Sequence, residues 1–282
     1  MEGKAAVATA FDFRQRAGLE VLTWPAFDTL DAEVMVTTRN GGVSSGSYAS
    51  LNLGLHVGDV AADVLANRRR VAAALGTDPG DLVFCNQAHG RGVQIVSARD
   101  RGRGALSLDD AIPRTDALVT GDAGTALVVM VADCVPIVLY DPVAHILACV
   151  HAGWRGTVAR VAEAALAAMR SLGTRPADVV AGLGPAIAPD RYQVGGEVVA
   201  AAERGLGDAS AEVMRPEGAG KWLFDLCAAN RRVLRGAGVL DERIHVAAVP
   251  TGPAPGLFFS DREQRPCGRF ALAARLTERG DA

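Results

Sequence analysis

The 282-residue chain is nearly without lysine: Lys4 and Lys221 are the only two, and arginine carries almost all of the positive charge. It has no excess of either sign, with 29 Lys+Arg against 32 Asp+Glu and a formal net charge of -3. A protein that binds the phosphate backbone shows a basic excess or a basic stripe. The richest basic stretch, Arg99 to Arg103, is broken by Asp100 and Gly102 and reads as a solvated loop, so nucleic acid is not expected as a partner. The five cysteines (Cys85, Cys134, Cys149, Cys227 and Cys267) never form a CxxC. That excludes a disulfide framework and a local zinc finger, and it suits a reducing, cytoplasmic setting. Long apolar runs are missing too. The most apolar segment, 126–140, is interrupted by Asp133 and falls short of the roughly 20 residues a bilayer span needs. The Ala/Val run after Glu2 is too short for a signal-peptide core. No membrane association is expected. The five histidines (His56, His89, His145, His151 and His245) never stand as HxH, which argues against the many-histidine centres of a multicopper oxidase.

What is present suits a globular protein. Hydrophobic residues make up 49% and charged residues 22%, and the length supports one large core. Continuous Val/Ile/Leu runs predict buried strands over 34–38, 93–97, 117–120, 127–131, 137–140, 146–150, 179–183 and 244–249. Helices are predicted from Asp59 to Leu75 with Gly76 as the stop, from Thr157 to Leu172 before Gly173, and from Asp225 to Arg235. A last helix is predicted from about Gly268 to Glu278. The irregular interleaving points to an α+β layered domain with mixed sheets.

Two segments could carry chemistry. In Val131-Ala132-Asp133-Cys134-Val135-Pro136 a strand ends in an acid beside a thiol within apolar surroundings, which is costly unless both are paired. In His145 to Thr157 a buried strand leads to His151, then to a glycine-flanked turn with Trp154 and Arg155, then to a helix. Backbone N–H groups at a helix start and a guanidinium beside them favour an anion. His89 stands in a third turn, Asn86 to Gly90. Cys134 and His151 each follow a strand run, so neighbouring strands would bring them together. Two imidazoles and a thiolate suit Zn²⁺, and three protein ligands leave a fourth position for water. Taken singly, each of these residues reads equally well as an ordinary core or turn residue.

At these residues the chain resembles a known family. TTRNGGVSSGSYASLNLGLHVGD (Thr37–Asp59), NQAHG (Asn86–Gly90), TDALVT (Thr115–Thr120), ADCVPIVLYDP (Ala132–Pro142), HAGWRGT (His151–Thr157) and GLGPAI (Gly182–Ile187) are similar, in order, to the YfiH-like family. Its members are also called polyphenol oxidase or laccase-domain proteins, purine nucleoside phosphorylases and peptidoglycan editing factors. The resemblance implies a layered α/β/β/α sandwich related to toxin deamidases. It implies one catalytic domain over 19–282 after a flexible segment at 1–18. It also implies a zinc site formed by His89, Cys134 and His151, with Cu²⁺ as a possible occupant. Two stretches depart from the family pattern. Ala188-Pro189-Asp190-Arg191 stands where relatives often carry a Cys-Cys pair, and Phe258-Phe259-Ser260-Asp261-Arg262-Glu263 replaces an FFSYRRD-like segment.

The resemblance implies phosphorolysis of adenosine, inosine and methylthioadenosine, with adenosine deamination beside it. The partners would be purine nucleosides and phosphate, and the chain a monomer or weak homodimer. Arg155 and Arg39 are candidate phosphate contacts, and Asn52 and Gln87 candidate contacts to base or ribose. Asp133 is a candidate acid/base, with Cys134 and His151 at the reacting centre. A second reading makes Cys134 a nucleophile with His151 as its base, in an amidase that edits peptidoglycan precursors. A weaker third is phenol oxidation by copper at the same ligands.

Overall fold

Along residues 126–131 successive side chains enter two different interiors. Leu127, Val129 and Val131 join one apolar cluster, and Val128 and Met130 join another. This period of two marks a strand buried on both faces. The same alternation recurs at Ile137 and Leu139 against Val138 and Tyr140. A computed structural model describes residues 10–252 and 256–280.

Among the described residues the chain forms two six-stranded sheets and one three-stranded sheet. The first large sheet runs, in spatial order, Asp12–Arg16, Leu19–Thr23, Ala32–Thr37, Phe270–Leu276, Ala126–Val131 and Leu82–Phe84. The second runs Ile244–Val246, Val180–Leu183, Val135–Asp141, Ile146–Ala152, Ala117–Thr120 and Val93–Ile95. Each is mixed, with antiparallel pairs inside; the first has a parallel pair at one edge and the second a parallel pair at both. The small sheet joins Gln193–Gly195, Lys221–Phe224 and Met214–Gly218.

Three apolar interiors stack these layers. Leu22, Val129, Val138, Cys149 and Phe270 fill the space between the two large sheets. Helix Ala61–Leu75 covers the outer face of the first sheet through Val71, Ala72 and Leu75. Helices Val161–Ser171, Gly196–Leu206 and Leu226–Gly236 cover the outer face of the second. The order is helix, sheet, sheet, helix, as the family resemblance implies.

The local signals account for several boundaries. Gly76 adopts φ +69° and accepts the left-handed stop after Leu75. Asp225 caps the helix that follows it, its carboxylate accepting the Ala228 N–H at 2.8 Å. The stretch predicted as one helix over 157–172 is two, Trp154–Val158 and Val161–Ser171, divided where Arg160 takes φ +61°. Asp59 does not cap with its side chain. Its carboxylate accepts from Asn52 Nδ2 instead.

One expectation is overturned outright. The predicted last helix is the strand Phe270–Leu276, paired on both sides within the first sheet. Its alanines suggest a helix, but Phe270, Leu272, Ala274 and Leu276 face the inter-sheet core while Ala271 and Ala273 face the helix layer. Burying each of the large side chains contributes about 1.5–3 kcal/mol, which outweighs local propensities of about 1 kcal/mol. The segment expected to be flexible, 1–18, contains strand Asp12–Arg16, which pairs with Leu19–Thr23. The part of that expectation covering residues 1–9 lies outside the described residues.

Candidate active site

Strand Ile146–Ala152 delivers His151 at the end of the inter-sheet core, where the residue is 2% exposed. Its neighbour is strand Ala117–Thr120, whose register pairs Ala117 with Val150. That pairing places Asp116 opposite His151. The His151 Nδ1–H donates to Asp116 Oδ1 at 2.9 Å, and the His151 main-chain N–H donates to the Asp116 carbonyl at 2.7 Å. The same carboxylate accepts the His89 N–H at 2.9 Å and the Gly90 N–H at 2.7 Å. Burial works to raise the Asp116 carboxyl. The bonds from His151, Gly90 and His89 outweigh it and hold the group below its usual range. Asp116 thus fixes the tautomer of one histidine and the loop that carries another.

Cys134 arrives from the turn before strand Val135–Asp141, which runs antiparallel to the His151 strand with Val135 opposite Ala152. Burial pushes its thiol up. The charge of His151, with hydrogen bonds from His151 and His89, overcomes this and brings it down to about 6. For His151, burial opposes protonation, but Cys134 and Asp116 raise it to about 9. His89, at φ +57°, sets its ring edge-on to His151 with centroids 4.7 Å apart.

The donor atoms of His89, Cys134 and His151 all lie within 4.8 Å of one another, so the three could hold one metal ion. The backbone is shaped around them. A Cβ on Gly153 would stand 2.8 Å from Cys134 Sγ and 3.2 Å from His89 Cδ2, filling the space the cluster occupies. Two imidazoles, one thiolate and a carboxylate behind one imidazole are a donor set that suits zinc or copper.

Above the cluster opens a cavity of about 570 Å³. His56, Asn86, Trp154, Tyr192 and four arginines, Arg155, Arg262, Arg265 and Arg269, line it with the cluster. Arg155 lies 4.4 Å over the Trp154 ring and Arg262 lies 5.2 Å over Tyr192. Asp261 binds Arg265 at 2.7 Å and Arg269 at 3.3 Å. The acid that departs from the family pattern therefore pairs with two of the four guanidinium groups and offsets one of their two charges.

The structure brings Cys134, His151, His89, Asp133, Gln87 and Arg155 to this cavity. Arg39 and Asn52 stand apart from it. Arg39 Nε donates to the Ala49 carbonyl at 2.8 Å and its guanidinium covers Phe259 at 4.5 Å. Asn52 is fully buried, its amide spent on Gly54, Asp59 and the Arg269 N–H. Gln87 lines the cavity, but its amide clasps both main-chain groups of Met130, at 2.7 and 2.8 Å. Asp133 uses both carboxylate oxygens on Thr251 and on the Arg262 N–H. Asp116, Tyr192, Arg265, Arg269 and His56 were given no role from sequence. Of these, Asp116 and His56 lie within motifs read from the sequence, Thr115–Thr120 and Thr37–Asp59, but only the strand register shows that Asp116 stands behind His151.

Two mixed sheets packed face to face between helices, with a cluster able to hold a metal where strands of the second sheet end, define a four-layer α+β class. Within that class the chain belongs to the family described as multi-copper polyphenol oxidoreductase laccase, whose model matches residues 33–277. The chain is 40% identical to the purine nucleoside phosphorylase YlmD of Geobacillus stearothermophilus over 231 residues, 82% of this chain and 84% of that one. It is 42% identical to the adenosine deaminase RL5 of an unknown prokaryotic organism, over 73% of this chain and 79% of that one. The crystal structure of the hypothetical protein YfiH of Bacillus licheniformis superposes with a TM-score of 0.89 at 34% identity, covering 94% of this chain and 99% of that one. Among the described residues no helix is long and apolar enough to cross a membrane.

Proposed function

We propose that this chain is a zinc-dependent purine nucleoside enzyme. It cleaves adenosine, inosine or methylthioadenosine with phosphate, giving the free base and the (methylthio)ribose 1-phosphate, and it deaminates adenosine as a second activity. One observation carries the reading. His89, Cys134 and His151 converge at the floor of a nucleoside-sized cavity whose wall holds Arg155, a guanidinium engaged, among the described residues, only by the Trp154 ring. The names of the similar proteins from Geobacillus and the unknown prokaryote agree with it.

His89, Cys134 and His151 would hold the ion, which supplies Lewis acidity at the cavity floor. With Nδ1–H held by Asp116, Nε2 of His151 would be the atom that binds the ion, in place of its hydrogen bond to Cys134. Arg155 holds the phosphate dianion. In phosphorolysis a phosphate oxygen bonds to ribose C1′ as the C1′–N9 bond breaks. The bonding pair goes to the purine, and the proton brought by hydrogen phosphate ends on the base. In deamination water adds at C6 and ammonia departs. The cavity walls position the nucleoside and limit competing water.

A second reading is favoured by one feature of the same atoms. Cys134, His151 and Asp116 form a hydrogen-bonded chain with a lowered thiol, as a cysteine amidase acting on a cell-wall precursor would need. A bound ion and a free nucleophilic thiolate exclude each other at one sulfur. Oxidation of phenols by copper at these ligands is the weakest reading. All five histidines lie in described segments, and only His89 and His151 join the cluster. Elemental analysis of the purified protein, followed by inosine and adenosine with and without phosphate, tests all three. About one zinc per chain with phosphate-dependent base release supports the proposal. Metal-free protein that hydrolyses amides replaces it with the second reading.

A further inference from the structure

Asp133 is 9% exposed and sits at φ +83°. A residue with a side chain keeps that conformation only where its surroundings hold it. Three bonds do so. Oδ1 accepts the Thr251 hydroxyl at 2.5 Å, Oδ2 accepts the Arg262 main-chain N–H at 2.7 Å, and the Asp133 carbonyl accepts the Ile187 N–H at 3.0 Å. A carboxylate so engaged on both oxygens is poorly placed to carry protons to a substrate. What it does hold is the start of the Arg262 side chain.

Arg262 and Arg155 differ from the other two arginines of the cavity. Arg265 and Arg269 share Asp261, whereas neither Arg155 nor Arg262 is in an ion pair among the described residues. Among the described residues the guanidinium N–H groups of Arg262 reach only the Gln193 carbonyl, at the long distances of 3.3 and 3.4 Å. Each of the two lies on an aromatic ring, Arg155 on Trp154 and Arg262 on Tyr192. Stacking of this kind fixes the plane of a guanidinium while leaving its N–H edge free for bidentate bonding to an oxyanion. The Tyr192 hydroxyl makes no hydrogen bond within the described chain and lines the same cavity. Burial pushes that phenol up, so it stays a donor at neutral pH.

We infer that Asp133 is a positioning residue: it fixes the main chain at Arg262 so that this guanidinium and that of Arg155 form a two-armed seat for the phosphate co-substrate. The inference rests on the phosphorolysis reading. It moves Asp133 from proton transfer to support, and it gives the phosphate a second cation that stands apart from the metal ligands.

The test uses the protein as purified, with its metal content measured and with inosine and phosphate varied in turn. Asp133→Asn keeps the Thr251 contact and takes the acceptor away from the Arg262 N–H. The KM for phosphate should rise roughly tenfold, while the KM for inosine, the bound metal and the pH profile of kcat stay as in the wild type. Arg262→Gln should show the same selective rise, and it decides the matter if Asp133→Asn does not fold. A fall in kcat that removes one limb of the pH profile, with the phosphate KM unchanged, would show Asp133 handling a proton and would overturn the inference. So would loss of metal or an equal loss in every constant, which marks a merely structural role. Calorimetric titration with inorganic phosphate separates failure of the seat from failure of the phosphorolysis reading. A wild type that binds phosphate more tightly than either variant, yet leaves inosine intact, keeps the seat and removes phosphorolysis. Cleavage of inosine by a wild type that binds phosphate no better than the variants removes the seat alone. A wild type that neither binds phosphate nor cleaves inosine removes both.

Discussion

At the floor of the cavity Asp116 and His151 have side chains 0% and 2% exposed, and the carboxylate alone receives three hydrogen bonds. At the rim the Arg265 side chain is 77% exposed, and Arg155 is held by one aromatic face. The floor is preorganised by buried bonds, which keep nearly full strength away from water. The rim is held by contacts that water and salt weaken. A change at the floor should therefore remove the site as a unit. A change at the rim should alter affinity for one ligand at a time. Four substitutions test that division.

The largest effect is expected from Cys134→Ser, which replaces a thiolate with a neutral hydroxyl among two imidazoles. Bound zinc and nucleoside cleavage should both disappear while the far-UV circular dichroism stays as in the wild type. Metal analysis with an inosine assay checks this. Full phosphate-dependent cleavage by that variant would end the zinc mechanism. Asp116→Asn comes next, because it replaces by an NH2 one of the two oxygens that accept from the His151 Nδ1–H and the His89 and Gly90 N–H groups. Metal affinity should weaken about 10- to 100-fold, measured by competition with a chelator. The same variant carries a pH signature. The Asp116 carboxyl is held below its ordinary value of 3.8, so its stabilising contribution is complete above that value and is lost as pH falls through the lower, folded-state one. Wild-type stability should drop on that acid limb. Asp116→Asn should flatten it, and a thermal melt series in acid decides.

Arg155→Ala tests the rim. A charge-assisted bond contributes about 1.5–3 kcal/mol, so the KM for phosphate should rise at least about tenfold. Metal content should not move, and the nucleoside KM should change less. Equal loss for both substrates would take the phosphate role away from Arg155.

The division between floor and rim also explains what could be read from the chain alone. His89, Cys134 and His151 each read singly as ordinary core or turn residues, and it is the three together, as a donor set within the family motifs, that point to a site. Asp116 does not join them there, because its meaning depends on cross-strand register, which is a tertiary fact. Strand Phe270–Leu276 was misread for a related reason. Three of its seven residues are alanine, and only burial on both faces makes their period of two decisive. Tyr192 and Arg262 meet across 70 residues through a stacking contact that leaves no mark in either local sequence.

Arg39 supplies the smallest effect and the sharpest contrast with Arg155. Each arginine stands in a glycine-containing motif, so from sequence both are candidates for phosphate, and in the structure each lies over an aromatic ring. Their surroundings separate them. Arg155 lines the cavity, whereas the Arg39 side chain bonds the Ala49 carbonyl and covers Phe259, joining its own loop to the C-terminal segment. Its main-chain carbonyl also accepts from Ser50 and Leu51, a brace that survives any side-chain change. Arg39→Gln should therefore cost stability of about 1 kcal/mol, seen as a lowered Tm, and leave both KM values within about twofold, well inside the scale of a lost charge-assisted bond. A selective tenfold rise in the phosphate KM would instead mean that the seat reaches beyond the cavity wall, and the boundary drawn between folding arginines and binding arginines would have to move to include the 37–59 loop.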